Sequence, residues 1–456
     1  MFSYRFLGLL VLVSMLLAAP LRAANAMLLL RDVEIETTLR DLADPIFRAA
    51  GLDPSSITIY IVNDNSLNAF VAGGQNLFLN SGLLIRTETP DQLAGIIAHE
   101  TGHIAGGHLS RARIAMENAG SQALLGALLG AAAAVAGAPQ LGIAALAGGL
   151  TVAQGGFLKF SRTQEQAADQ AATRFLGEVG QSPVGLLQFF EILESDDLRL
   201  SRQADPWLQT HPLTRSRIEF LENQVQKSRF AKVRMSGGAL ERHERMRAKL
   251  DAFLSQPSDA LERWKDDRSV PGRYAMAIAL YRLPKLNEAL KEIRALVSDY
   301  PDDPYFHELE GQMLYENGRT FDAIEPYRQA LALLPGSALL KLGLAKAMID
   351  TYDPAQLKEA RQQLVDATVA EPENAEAFRL LATTEGKLGN EGAATIAMAE
   401  FSLVIGRFDD ARRYAIRASQ LVQPGDPQFF KLQDLQAAIE ALPPDARNPR
   451  PRRSLG

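Results

Sequence analysis

The sequence predicts a mostly α-helical protein in two parts: an α+β domain with a small antiparallel sheet, then an all-α solenoid of helix pairs. Three observations carry this. Short runs rich in β-branched residues, punctuated by turn signals, lie between residues 56 and 80. Apolar residues at helical spacing, with capping signals, flank them. In the C-terminal half, a short motif and a downstream proline recur every 34 to 37 residues.

The chain has 456 residues, about three domains' worth by length. Hydrophobic residues make up 47% and charged residues 22%, the balance of an ordinary globular protein. The net charge of −6, with no basic stripe, gives no sign of nucleic-acid binding. There is no cysteine, so disulfides and thiolate metal sites are excluded and any zinc must be held by His and carboxylate.

Residues 1–26 read as a signal peptide. Arg5 is a minimal positive region, Leu7 to Ala19 an uncharged apolar run, and Ala24-Asn25-Ala26 a small-x-small cleavage site. An uncleaved anchor is the alternative, but the apolar run is short for a span. Without Cys there is no acylated anchor, so the expectation is an exported, periplasmic chain that is not a lipoprotein.

Residues 28–50 carry a helical pattern (Leu30, Val33, Ile35, Leu39, Leu42, Ile46, Phe47) ended by Gly51. Ser56 to Val62 reads as a strand, and Asn68–Val71 and Asn76–Leu79 as two more around Gly73-Gly74. An edge strand here can pair with an extended peptide, and residues 75–80 are the candidate edge. Equally, these strands can simply cover the core.

Thr89-Pro90-Asp91-Gln92 opens a helix: Thr89 as N-cap, Pro90 at the first helical position, Gln92 completing a capping box. Leu93, Ile96, Ile97 and Ile104 give it a buried face. On it lies His99-Glu100-Thr101-Gly102-His103. Residues i and i+4 share a helix face, so His99 and His103 reach one metal ion, and Glu100 sits one residue round as a non-ligating carboxylate base. Two unrelated histidines on an amphipathic helix are the bland alternative.

Asn118 to Leu158 contains no charged residue. It is too long and too broken for one span and too short for two, so it reads as a helical hairpin, about 121–153, turning at Gly137-Ala138-Pro139. It either packs against the domain or presents apolar surface to a membrane or to the cleft. Ser161-Arg162-Thr163-Gln164 then reads as a second capping box, opening a helix with Glu165 and Asp169 on one face. Alone, that pair would be a solvated acidic face. Beside His99 and His103, Glu165 becomes the third zinc ligand and Asp169 the acceptor that fixes a histidine tautomer. Small residues at Ala167, Ala168, Ala171 and Ala172 allow close helix contact. A further helix covers 183–194, and residues 205–218 open as a loop and enter a helix after Pro212.

These pieces in this order, from about residue 30 to 225, resemble the M48 family of zinc metallopeptidases. The motifs are Asp32 to Glu36, Asn68-Ala69-Phe70, His99 to His103, Ser161-Arg162 with Glu165 and Asp169, and Thr210-His211-Pro212 with Arg217. The resemblance implies a zincin-like metallopeptidase domain, 27–260, with one Zn²⁺ per chain on His99, His103 and Glu165 and with Glu100 as catalytic base. It implies endopeptidase action on unfolded or misassembled proteins, as in an exported subgroup that surveys outer-membrane protein assembly. His211, in a loop entering a helix, is then expected as a removable fourth ligand, and Arg217 as an oxyanion-stabilising catalytic group. A histidine that merely bonds backbone at a helix start is the other reading of His211. His108 sits just beyond two glycines, and His243 and His307 have no motif around them.

The second part, 265–440, reads as tetratricopeptide repeats. Asn287-Glu288-Ala289, Phe321-Asp322-Ala323 and Lys358-Glu359-Ala360 recur at intervals of 34 and 37, in step with Pro301, Pro335 and Pro372. About four helix pairs fit between 270 and 440; a generic helical domain is the alternative. Such arrays hold protein segments on a concave face, so substrate or assembly-machinery partners follow. The Pro/Arg-rich tail, 441–456, should be disordered. The competing function is a chaperone or adaptor acting through the repeats over a vestigial metal site, but no element of that site is missing.

Overall fold

The computed structural model describes residues 28–111, 161–194, 207 and 211–442. The expected signal peptide (1–26), the apolar hairpin (121–153) and the tail from residue 443 lie outside the described residues. Among the described residues no helix is long and apolar enough to cross a membrane.

The chain opens with β1 (Leu29–Leu30) and α1 (Val33–Ala49), N-capped by Asp32, whose Oδ1 accepts the Ile35 amide. Then come β2 (Ile59–Val62), β3 (Ala69–Ala72) and β4 (Asn76–Asn80). The sheet order is β1-β2-β4-β3. It is mixed, not antiparallel as expected: β4 runs parallel to β2 and antiparallel to β3. The segment after β2 carries the chain past the site of β4, so the β3–β4 hairpin returns β4 into the gap. This also overturns residues 75–80 as a substrate edge. β4 is bonded on both sides, and the outer strand is β3, which packs beside the histidine helix.

Short α2 (Ser81–Arg86) leads into α3 (Pro90–Ala105). Thr89 is its N-cap, accepting the Gln92 amide at 3.3 Å. Gln92 Oε1 reaches back to the Glu88 amide, one residue beyond a regular capping box. The helix is sunk in the core: Leu93, Ile96, Ile97 and Ala98 are fully buried, each Leu or Ile stabilising by roughly 1.5–3 kcal/mol. α4 spans 161–178 of the described chain. Ser161 is already helical, so it is not the expected N-cap, which needs a non-helical backbone. α5 (Val184–Glu194) packs along α3, and α6 (Arg215–Lys227) along α5.

α7 (Gly238–Leu254) belongs to both parts: it packs on α1, α2 and α3 and also on α9. After α8 (Pro257–Trp264) come five antiparallel pairs. They are α9 (Val270–Arg282) with α10 (Leu286–Asp299), and α11 (Pro304–Glu316) with α12 (Thr320–Leu333). α13 (Ala338–Ile349) pairs with α14 (Pro354–Ala370), and α15 (Ala375–Lys387) with α16 (Glu391–Val404). α17 (Phe408–Leu421) and α18 (Phe429–Glu440) complete the stack. The described residues thus hold five pairs where about four were expected between 270 and 440. The fifth is terminal and forms a small core with Ile396 and Ala399 of α16. The recurring alanines Ala289, Ala323 and Ala360 are fully buried, which is why the motif repeats with the period.

The two parts meet through charge as well as apolar packing. Glu34, 1% exposed, takes Arg245 Nη2 at 2.7 Å, Lys249 Nζ at 3.3 Å and the Tyr274 hydroxyl at 3.0 Å. Lys249 also pairs with Asp32 at 2.7 Å, and Arg245 with Asp303. Val33 packs against Ala330 and Leu340 of the repeats. The expected boundary near 260 therefore crosses a continuous buried interface centred on α7.

Candidate active site

The site is built where α3 and α4 cross. Gly102 makes the crossing possible: a Cβ there would stand 2.9 Å from the Ala168 carbonyl oxygen and 3.0 Å from its Cα. With glycine on one helix and alanines on the other, the backbones close up and Glu165 is delivered against His99 and His103.

The donor atoms converge. His99 Nε2 and His103 Nε2 are 3.1 Å apart. Glu165 places a carboxylate oxygen 3.4 Å from each of them. His211 Nδ1 lies 3.4 Å from His99 Nε2 and 3.2 Å from both Glu165 oxygens. One donor from each of the four residues lies within 4.8 Å of all the others. A tetrahedral site with bonds of ~2.1 Å has edges of about 3.4 Å. The donor set, its chemistry and its spacing fit a zinc-type ion. All four predicted ligands are thus brought together, and all but His103 are buried.

Around them sits an orienting layer. His99 Nδ1 is 3.0 Å from Asp169 Oδ1, close enough for this carboxylate to orient the ring. Arg217 grips Asp169 with Nε at 2.7 Å and Nη2 at 2.9 Å, donates Nη1 to the Pro212 carbonyl at 3.0 Å and pairs with Glu165 at 3.0 Å. It is 2% exposed and stacks on Phe190. The oxyanion role expected for Arg217 is not what these contacts favour: all three guanidinium nitrogens are already engaged with the site's own framework.

Glu100 is fully buried with both carboxylate oxygens unpartnered, and His211 Nε2 is 3.5 Å from one of them. Burial pushes its carboxyl up, opposed by His211 and His99. Glu165 behaves oppositely: burial raises it, but hydrogen bonds from His211 and His99 win and hold it well below the usual carboxylate range. Burial lowers His99, yet Asp169 and Glu165 outweigh it and push the ring up to about 9. Burial, then His99 and His211, drive His103 well down. The pocket thus holds anionic Glu165 and Asp169 and stabilises positive charge between them, the electrostatics a metal cation exploits.

Two contributors were not assigned from sequence. Trp207 is fully buried, with its ring 4.5 Å from that of His211, and its carbonyl takes the His211 amide at 2.7 Å. His108 folds back onto His103. A tryptophan four residues before the histidine was the available signal for the first. His243 and His307 are elsewhere: His243 is buried against Thr87, and half-buried His307 bonds the Pro301 carbonyl at 2.9 Å.

A His-Glu-x-x-His helix crossed by a helix that adds a carboxylate, with an unpartnered glutamate beside the donors, defines a metal-dependent endopeptidase. Residues 30–225 match Peptidase family M48. The chain is similar to "Beta-barrel assembly-enhancing protease" of Escherichia coli K12, 28% identical over 373 residues, 81% of this chain and 75% of that one. It is 27% identical over 379 residues to the protein of that name from Yersinia pestis, 80% and 75% of the two chains. The E. coli "Metalloprotease LoiP" is 29% identical over 199 residues, 42% of this chain and 71% of that one.

Proposed function

We propose that the protein is an exported zinc endopeptidase that cleaves misfolded or misassembled outer-membrane proteins in the periplasm. The observation that carries the chemistry is the convergence of His99, His103, Glu165 and His211 on one point beside unpartnered Glu100. In this reading His99, His103 and Glu165 hold one zinc per chain. When bound, zinc supplies Lewis acidity toward a peptide carbonyl and toward water.

Glu100 is the catalytic base: its raised carboxyl, buried and free of hydrogen bonds, is poised to take a proton in the cleft. Asp169 and Arg217 are positioning residues, the first for the His99 ring and the second for Asp169 and Glu165. A substrate in extended form can bond the outer edge of β3, which among the described residues has no strand partner on that side. Such main-chain pairing reads no side chain and suits varied unfolded substrates.

His211 is a plug. Its Nδ1 lies beside the other three donors, where it would take the position on a bound ion that substrate or water needs, while Trp207 packs against its ring. Displacement of this loop would open the site, restraining a broad protease at rest. The solenoid supplies the surface for substrate or assembly-machinery capture, and the similarity to the assembly-enhancing proteases supports that context. The apolar segment 121–153 remains the candidate for peripheral membrane contact. A chaperone or adaptor working through the repeats alone would not need an intact donor set. Metal-dependent cleavage of unfolded casein, lost with a chelator and restored by Zn²⁺, tests the enzyme reading. Chelator-insensitive cleavage, or none under any metal condition, would reject it.

A further inference from the structure

His108 stands outside every motif that identified the site, yet its Nδ1 lies 3.0 Å from His103 Nδ1, with the rings edge to face at 83°. The chain is shaped for this contact. α3 stops at Ala105, and Gly107 takes a left-handed φ of +60°, turning the chain back. A Cβ on Gly106 would stand 2.3 Å from His108 Nε2, so glycine there is what admits the imidazole. The result is a histidine only 6% exposed at a helix end, facing the side of His103 away from the other donors.

His99 has its own carboxylate support in Asp169. His103 Nδ1 meets no carboxylate among the described residues; His108 is its hydrogen-bond partner. We infer that His108 is the positioning residue for His103: its neutral Nδ1 accepts the His103 Nδ1–H, fixing the tautomer whose Nε2 lone pair faces the metal position. Metal-binding imidazoles held this way lose roughly 10- to 100-fold in metal affinity when the partner is removed. The inference rests on the reading of His103 as a ligand and deepens it.

The test is competition for Zn²⁺ against a chromogenic chelator, with thermal unfolding of the metal-free protein read in parallel. His103→Ala is the control for the site itself. His108→Ala should weaken zinc binding roughly 10- to 100-fold while the metal-free unfolding midpoint stays near wild type. His108→Asn, whose Oδ1 can occupy the place of Nδ1, should recover most of the affinity. Gly106→Ala, which keeps His108 but displaces it, should weaken binding in the same direction and serves if His108→Ala does not fold. Wild-type zinc affinity in His108→Ala or Gly106→Ala, with His103→Ala deficient, would overturn this inference and leave the site intact. Equal losses in His108→Ala and His108→Asn with a lowered metal-free midpoint would make His108 a packing residue and overturn it too. Wild-type zinc affinity in His103→Ala would instead reject the underlying site.

Discussion

His211 Nδ1 lies 3.2 Å from both carboxylate oxygens of Glu165, although the two residues are 46 apart in the chain. A histidine contributed by a loop before α6 thus occupies the fourth corner of a site whose other corners are on rigid helices. If His211 is a plug, His211→Ala should keep zinc and raise basal cleavage or self-cleavage. Zinc content by mass spectrometry and casein turnover check this. Lower activity with zinc retained would make His211 a catalytic group instead.

Glu165→Ala should lower zinc content, because it removes the only carboxylate among the four converging donors and leaves three imidazoles with no anionic partner for the ion. Glu178→Ala is the matched control, since Glu178 is half-exposed and pairs only loosely with Arg174 at 3.8 Å. The measurement is zinc per chain after dialysis. Equal zinc in both variants would remove Glu165 from the ligand set.

Glu34→Ala should destabilise the protein by about 3–5 kcal/mol, because it strands Arg245 and Lys249 in a buried interface. Loss of the exposed pair Arg31–Glu371, by Glu371→Ala, should cost no more than ~1 kcal/mol. Urea unfolding of the two variants measures the difference. The same interface predicts that a 265–440 fragment folds through its neighbour contacts, whereas 27–260 is less stable than within the full chain.

His243 gives the fold an acid sensitivity separate from the metal site. Burial, then Arg247, depresses its pKa to about 3. The unfolded chain takes up this proton near pH 6.5, the folded chain only near pH 3, so between those values unfolding binds a proton. The stability His243 contributes is present above pH 6.5 and is lost as pH falls toward 3. His243→Gln, which can still bond Thr87, should flatten the fall of the melting temperature across that window.

Much of the site was legible because helical periodicity is local. His99, Glu100 and His103 declare themselves within five residues, and Glu165 with Asp169 within another five. The repeats were legible for the same reason, their period being carried by buried alanines. What was not legible depends on non-local pairing. The parallel register of β2 with β4, and hence the free edge on β3, is set by where a six-residue connection crosses. Arg217 looked free in sequence because its partners Asp169 and Glu165 come from another helix. His108 was hidden by a chain reversal at Gly107, and the charges on α1 and α7 by some two hundred residues of separation.

The most direct test of the metallopeptidase account is Glu100→Gln. The account predicts a protein that retains one zinc per chain, since Glu100 is not among the four converging donors, and cleaves casein slower by roughly a hundred- to ten-thousand-fold. Near-normal cleavage by a zinc-loaded Glu100→Gln variant would contradict it.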